Sequence, residues 1–139
     1  MQRGSILRWP NFRFHDGEAS DKYVIVMNSE AKENLVLVTV TSKQHKRSTL
    51  PNCQIEPLTF FFPAGTVAAF SLDTWVVLDS QPYAAKKDEV QKRIDSGEVE
   101  EVEVLEEKVV NAIRNCLVSN SRMLSQKLKK LLRKPSVKK

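Results

Sequence analysis

Thr41-Ser42-Lys43 offers the most useful chemistry in this chain, because two hydroxyls and an ammonium follow directly on an apolar run, LVLVTV. Hydroxyls and an ammonium are donors to oxyanions, and a strand end that opens into a loop leaves them accessible, so the triplet suits an anion. The loop after it, Gln44-His45-Lys46-Arg47, is basic, and a histidine in such a setting meets phosphate or solvent rather than serving as a catalyst. A second cationic stretch carries Lys127, Lys129, Lys130 and Arg133 among Leu124, Leu128 and Leu131. This basic amphipathic segment suits an acidic surface, an RNA backbone or anionic lipid, or else it is a solubilising extension. Cys53 and Cys116 have neither CxxC spacing nor a His/Cys cluster around them, so no metal is expected and two reduced structural thiols are.

The elements that must position these residues can be read from periodicity. The run at 35–43 is β-branched and alternating, which suits a central strand. Before it, 4–9 reads as a first strand ended by Pro10, Asp16-Gly17 opens an exposed loop, 23–27 is a second apolar strand, and 30–34 is a polar linker. After it come strand-like runs at 53–56, 58–62, 66–72 and 74–78, with Pro and Gly between them. Phe60, Phe61 and Phe62 beside a proline read as core or dimer contacts more than base-stacking surfaces, and Trp9 and Trp75 as core anchors. The period then changes. A short helix is expected over 86–96 with Gly97 as its stop, followed by an acidic edge strand at 99–104. From Glu106 a long amphipathic C-terminal helix is expected, interrupted near 118–122 and ended by Pro135, with acids near its start and bases near its end. Short strands with turn chemistry followed by helix imply a mainly β, α+β chain: a small, mostly antiparallel barrel.

With 139 residues, 41% hydrophobic and 28% charged, the chain has material for one core, and we divide it into a domain at 1–120 and a basic extension at 121–139. No segment approaches the roughly 18 to 20 apolar residues of a membrane span, and MQRGSILRW lacks the features of a signal peptide, so a cytoplasmic protein is expected. The net charge of +5 is unevenly shared. Residues 108–139 hold ten Lys/Arg and no acid, leaving twelve bases against seventeen acids in 1–107. Such a tail can pair with its own body, with nucleic acid or with an acidic partner.

In their order along the chain, Gly4-Ser5-Ile6, the polar loop leading to Asp21-Lys22-Tyr23-Val24-Ile25-Val26, the strand end Val40-Thr41-Ser42-Lys43 and Leu50-Pro51 resemble the MazF/PemK-like toxins of bacterial toxin–antitoxin pairs. The likeness spans about residues 3 to 118. It implies a partly open SH3-like barrel with terminal helices, a homodimer, an acidic antitoxin partner, and a metal-independent endoribonuclease that needs no cofactor and acts on single-stranded RNA. The family's cation before the second long strand falls on Lys22, where Lys replaces the usual Arg, and its Thr-Ser pair falls on Thr41 and Ser42. Some relatives use a first-loop His, to which His15 lies near; an imidazole titrates close to neutrality, which suits a general base. Lys43, His45, Lys46, Arg47 and the tail's Lys127, Lys129, Lys130 and Arg133 would then grip RNA backbone.

Without a metal, RNA is cut when the 2′-hydroxyl attacks the adjacent phosphate, leaving a 2′,3′-cyclic phosphate and a 5′-hydroxyl. Two classes of function stay open. One is that ribonuclease; the other is a barrel that has lost turnover and binds nucleic acid or protein. In plain terms Lys22 is a solvated charge beside Asp21, Thr41 a β-branched strand residue, and His15 a tie for the Asp16-Gly17 turn.

Overall fold

A computed structural model describes residues 1–28 and 34–133, apart from the side chain of Arg133. The expected linker at 30–34 falls mostly outside the described residues, as do the RNA-contact role of Arg133 and the helix stop at Pro135. The elements are β1 (Ser5–Arg13), β2 (Ala19–Val26), β3 (Leu35–Thr41), β4 (Asn52–Ile55), β5 (Leu58–Phe62), β6 (Thr74–Val77), β7 (Tyr83–Ala85), α1 (Lys87–Asp95), β8 (Glu100–Val104), α2 (Glu107–Asn120) and α3 (Gln126–Arg133). All pairings are antiparallel, in the order β4-β5-β6-β3-β2-β1-β8 with β7 added to β3. The sheet is open, with β4 and β8 at its edges.

β3 is central because both of its faces are covered. Val36, Val38 and Val40 enter the larger core cluster with Ile6, Ile25, Phe60 and Phe62, while Leu35 and Leu37 enter a smaller one with Leu7, Trp9, Val24 and Val26. A strand buried on both sides has no solvent face, which is why its sequence from Leu35 to Val40 is apolar but for Thr39. α2 helps to close the open sheet. Its start packs at Gly4, where an added Cβ would lie 3.0 Å from the Leu105 carbonyl oxygen and 3.0 Å from Val110, and where φ is +94°; glycine is required there on both counts. Its far end packs on β4 and β5. Ile113, Cys116 and Leu117 fill the larger core on the way.

The structure departs from sequence expectation in five places. β1 does not stop at Pro10 but runs to Arg13 through a bulge between Trp9 and Phe12, where Asn11 has φ 54° and its N–H donates to Asp21 Oδ1 at 2.9 Å. A bulge needs no ladder bond from proline, so the strand continues. The stretch 66–72 is a loop rather than a strand: Val67 and Phe70 are its buried anchors, three residues apart, and the Phe70 N–H bonds back to the Val67 carbonyl. Tyr83–Ala85, three residues long, pairs with β3 and carries too short a pattern to be seen in sequence.

Cys53 and Cys116 are not free thiols but a disulfide between β4 and α2, with Cα atoms 5.7 Å apart and 63 positions between them in sequence. Only the packing of α2 on β4 reveals that proximity. Finally, the C-terminal helix is two helices. Its interruption falls at Ser121 to Ser125, a few residues later than expected, where the Ser121 hydroxyl accepts the Met123 N–H and the Ser125 hydroxyl accepts the Leu128 N–H. α3 is docked rather than frayed, since Leu124, Leu128, Leu131 and Leu132 are all buried in the larger core. Trp9, Trp75 and the three phenylalanines at 60–62 are core residues. Among the described residues no helix is long and apolar enough to cross a membrane.

Candidate nucleic-acid interface

β2 and β3 pair from Val26↔Leu37 to Val24↔Thr39, after which β3 turns to β6 and pairs Thr41 with Trp75. Continued by one more pair on the same face, the β2–β3 register would set Lys22 opposite Thr41. The strands part there instead and leave a notch. It forms a cavity of about 320 Å³ whose walls include Lys22, Thr41, Ser42 and Lys43, joined by Arg8 and Asp21 and by the apolar side of Tyr23, Val40 and Phe70. The loop at 69–72 forms the opposite wall and ends on exposed Leu72. That wall is held from β8, where Glu103 Oε1 accepts the Ala69 N–H at 2.7 Å, and at its base Asp73 Oδ1 accepts the Ala64 N–H at 2.8 Å.

The charges around the notch are unbalanced. Asp21 is engaged by the Asn11 N–H, and Arg8 by a salt bridge to Glu100. Among the described residues Lys22, Lys43 and Arg47 take part in no ion pair. Lys22 is half-buried, and its ammonium is held below the ordinary lysine value of 10.5, first by burial and then by repulsion from Lys43 and Arg47. Arg47 folds back to donate from Nη1 to the Lys43 carbonyl at 2.9 Å, while its Nε is buried with no hydrogen-bond partner among the described residues. The Thr41 hydroxyl accepts the Lys43 N–H at 3.2 Å, which fixes the turn out of β3 and leaves its O–H free to donate outward. An anion arriving here would meet donors and uncompensated positive charge at once.

The fold thus gathers four of the residues singled out from sequence, Lys22, Thr41, Ser42 and Lys43, in one cavity. His45 and Lys46 lie in the exposed turn beyond it, both with positive φ, at 40° and 64°. His15 lies elsewhere. Its ring stacks on Tyr83, and Nε2–H donates to the Gln81 carbonyl at 2.7 Å, so it is not among the cavity's lining side chains. Lys127, Lys129 and Lys130 sit on α3, and none of them lines the cavity. Sequence reasoning missed Arg8, Asp21 and the 69–72 wall. Arg8 shares a face of β1 with Ile6, but which face opens to the notch is set by the β1–β2 register, Arg8↔Tyr23, which no local pattern encodes. Among the described residues no group of three or more His, Cys, Asp or Glu side chains is arranged to hold a metal ion. Comparison with protein-family models, with curated proteins and with solved structures returns no match.

Proposed function

We propose that the notch binds single-stranded RNA by a phosphodiester and cleaves it without a metal, in the manner of MazF/PemK-like endoribonucleases. The open sheet, bridged by α2, is on this reading a partly open SH3-like barrel. One observation carries the proposal: Lys22 and Lys43, which with nearby Arg47 take part in no ion pair among the described residues, line a cavity that also includes Thr41 and Ser42. A phosphate is the ligand chemistry that such donors and charge fit. In the reaction the 2′-oxygen bonds to phosphorus as the 2′-proton leaves, and the bond to the 5′-oxygen breaks as that oxygen gains a proton. Lys22, whose acidity is raised first by burial and then by its cationic neighbours, neutralises the added charge and delivers the proton to the 5′-oxygen. Thr41 and Ser42 donate to the non-bridging oxygens, and Asp21 is the lining carboxylate that takes the 2′-proton. The homodimer and the acidic antitoxin implied by the resemblance belong to the same proposal, with the unpaired cations as the antitoxin's point of attachment.

A second reading, RNA binding without turnover, is favoured by a specific feature: no histidine lines the cavity, so neutral-pH proton transfer falls to a lysine and an aspartate. Incubating the protein with a long unstructured RNA in EDTA separates the two. Cleavage to 2′,3′-cyclic phosphate ends, reduced about 100-fold or more in Lys22→Ala and substantially in Thr41→Ala, is the expected result. Binding without cleavage selects the second reading, and cleavage indifferent to both substitutions rejects the site.

A further inference from the structure

The tip of the β1–β2 hairpin and the approach to β7 meet in an aromatic ledge outside the cavity. The imidazole of His15 lies flat on the ring of Tyr83, with centroids 3.9 Å apart and planes 7° from parallel. Nε2–H of His15 donates to the Gln81 carbonyl at 2.7 Å, which stops the ring from turning. Tyr83 is fixed in turn by edge contacts with Phe12 at 4.9 Å and Phe14 at 6.4 Å. Yet His15 itself is exposed. A histidine that only ties down a turn needs the hydrogen bond and not the parallel ring, whereas a flat, immobilised π-face open to solvent is the surface on which an unpaired base stacks.

The ledge is also close to the cavity. Lys22 Nζ stands 5.9 Å from the Phe14 centroid and Phe14 is 6.4 Å from Tyr83, so the ammonium and the tyrosine ring are at most about 12 Å apart. An RNA strand with a phosphate on Lys22 therefore has a neighbouring nucleotide within reach of His15. We infer that His15, backed by Tyr83, is a second RNA subsite, a stacking platform for one nucleobase next to the phosphate held at Lys22. This rests on the RNA-binding reading of the cavity. Every base has a π-face, so the platform adds affinity without sequence preference.

Two substitutions separate a platform from a latch. His15→Gln keeps a donor for the Gln81 carbonyl and loses the ring, and His15→Phe keeps a ring and loses the donor. The probe is a short single-stranded RNA with 2-aminopurine placed at one position at a time, whose fluorescence is quenched by stacking. For a platform, the wild-type protein quenches the probe at one or two adjacent positions. His15→Gln abolishes that quenching and weakens binding roughly 5- to 160-fold, the range of one base–aromatic stack, and His15→Phe retains both. The reverse pattern, with His15→Phe impaired and His15→Gln intact, or no change in either variant, overturns the platform. If RNA binding still depends on Lys22 in that case, the cavity reading stands alone; if the wild-type protein binds no RNA, both fall.

Discussion

A half-buried lysine repelled by two other cations behaves unlike a solvated one. Among the described residues Lys22 has no carboxylate ion-pair partner, and burial, then repulsion from Lys43 and Arg47, lowers its proton affinity. In the free protein its ammonium is therefore lost at a pH below the ordinary value of 10.5. A bound phosphate favours the charged form and pulls the proton affinity back up. By linkage, affinity for single-stranded RNA should be constant near neutral pH and decline as pH rises through the depressed lysine value. Lys22→Arg should move that decline to higher pH, because guanidinium does not deprotonate in this range. The same depression makes folding stability rise with pH across the window just below 10.5, since there the unfolded chain holds more protons than the folded one. Dissociation constants and melting temperatures of both proteins across that alkaline range provide the check.

At the scale of elements, the wall opposite Lys22 is a loop, and its shape depends on a carboxylate from an edge strand. Replacing Glu103 with Ala leaves the Ala69 N–H without its 2.7 Å acceptor. The expected cost is about 1–3 kcal/mol of stability, together with severalfold weaker RNA binding, read by denaturant unfolding and by titration. Leu128→Ala in α3 should cost about 2–5 kcal/mol, because that side chain is 6% exposed and packs in the main core. These two elements also show how far sequence can be read. β3 is legible because burial on both faces writes a run rich in β-branched residues, and its Thr-Ser-Lys end is legible with it. The 63–73 loop is not, since its buried anchors Val67 and Phe70 stand three residues apart within a short apolar stretch, Val67-Ala68-Ala69-Phe70, that reads as a strand by composition. The docking of α3 is hidden for a related reason: its leucine stripe fits any apolar surface, and only the open sheet supplies one. Sequence points to His15 for its ionisation, whereas the fold stacks its ring on Tyr83.

For the whole molecule, charge and covalent closure matter most. Lys127 and Lys130 are exposed on the outer side of a helix whose inner side is core. Removing the tail would open the core, so reversing these charges is the cleaner experiment. Lys127→Glu with Lys130→Glu should preserve the melting temperature while lowering the slope of log affinity against log salt by about 0.7 for each phosphate that is no longer neutralised. An unchanged slope would restrict RNA binding to the notch and the ledge. The Cys53–Cys116 disulfide ties the β4 edge to the bridging helix across 63 positions of chain. Cys53→Ser should lower stability by about 2–5 kcal/mol, seen as a lower denaturation midpoint than that of the oxidised wild type.

On the proposed function, an RNA phosphate sits between Lys22 and the Thr41-Ser42-Lys43 turn. Backbone amide NMR of the labelled protein, titrated with a short single-stranded RNA, tests it most directly. The largest shifts should fall at Lys22, Ser42, Lys43 and the 69–72 wall, and should disappear in Lys22→Ala. Shifts confined to α3 or β8, or shifts at the notch that survive Lys22→Ala unchanged, would contradict it.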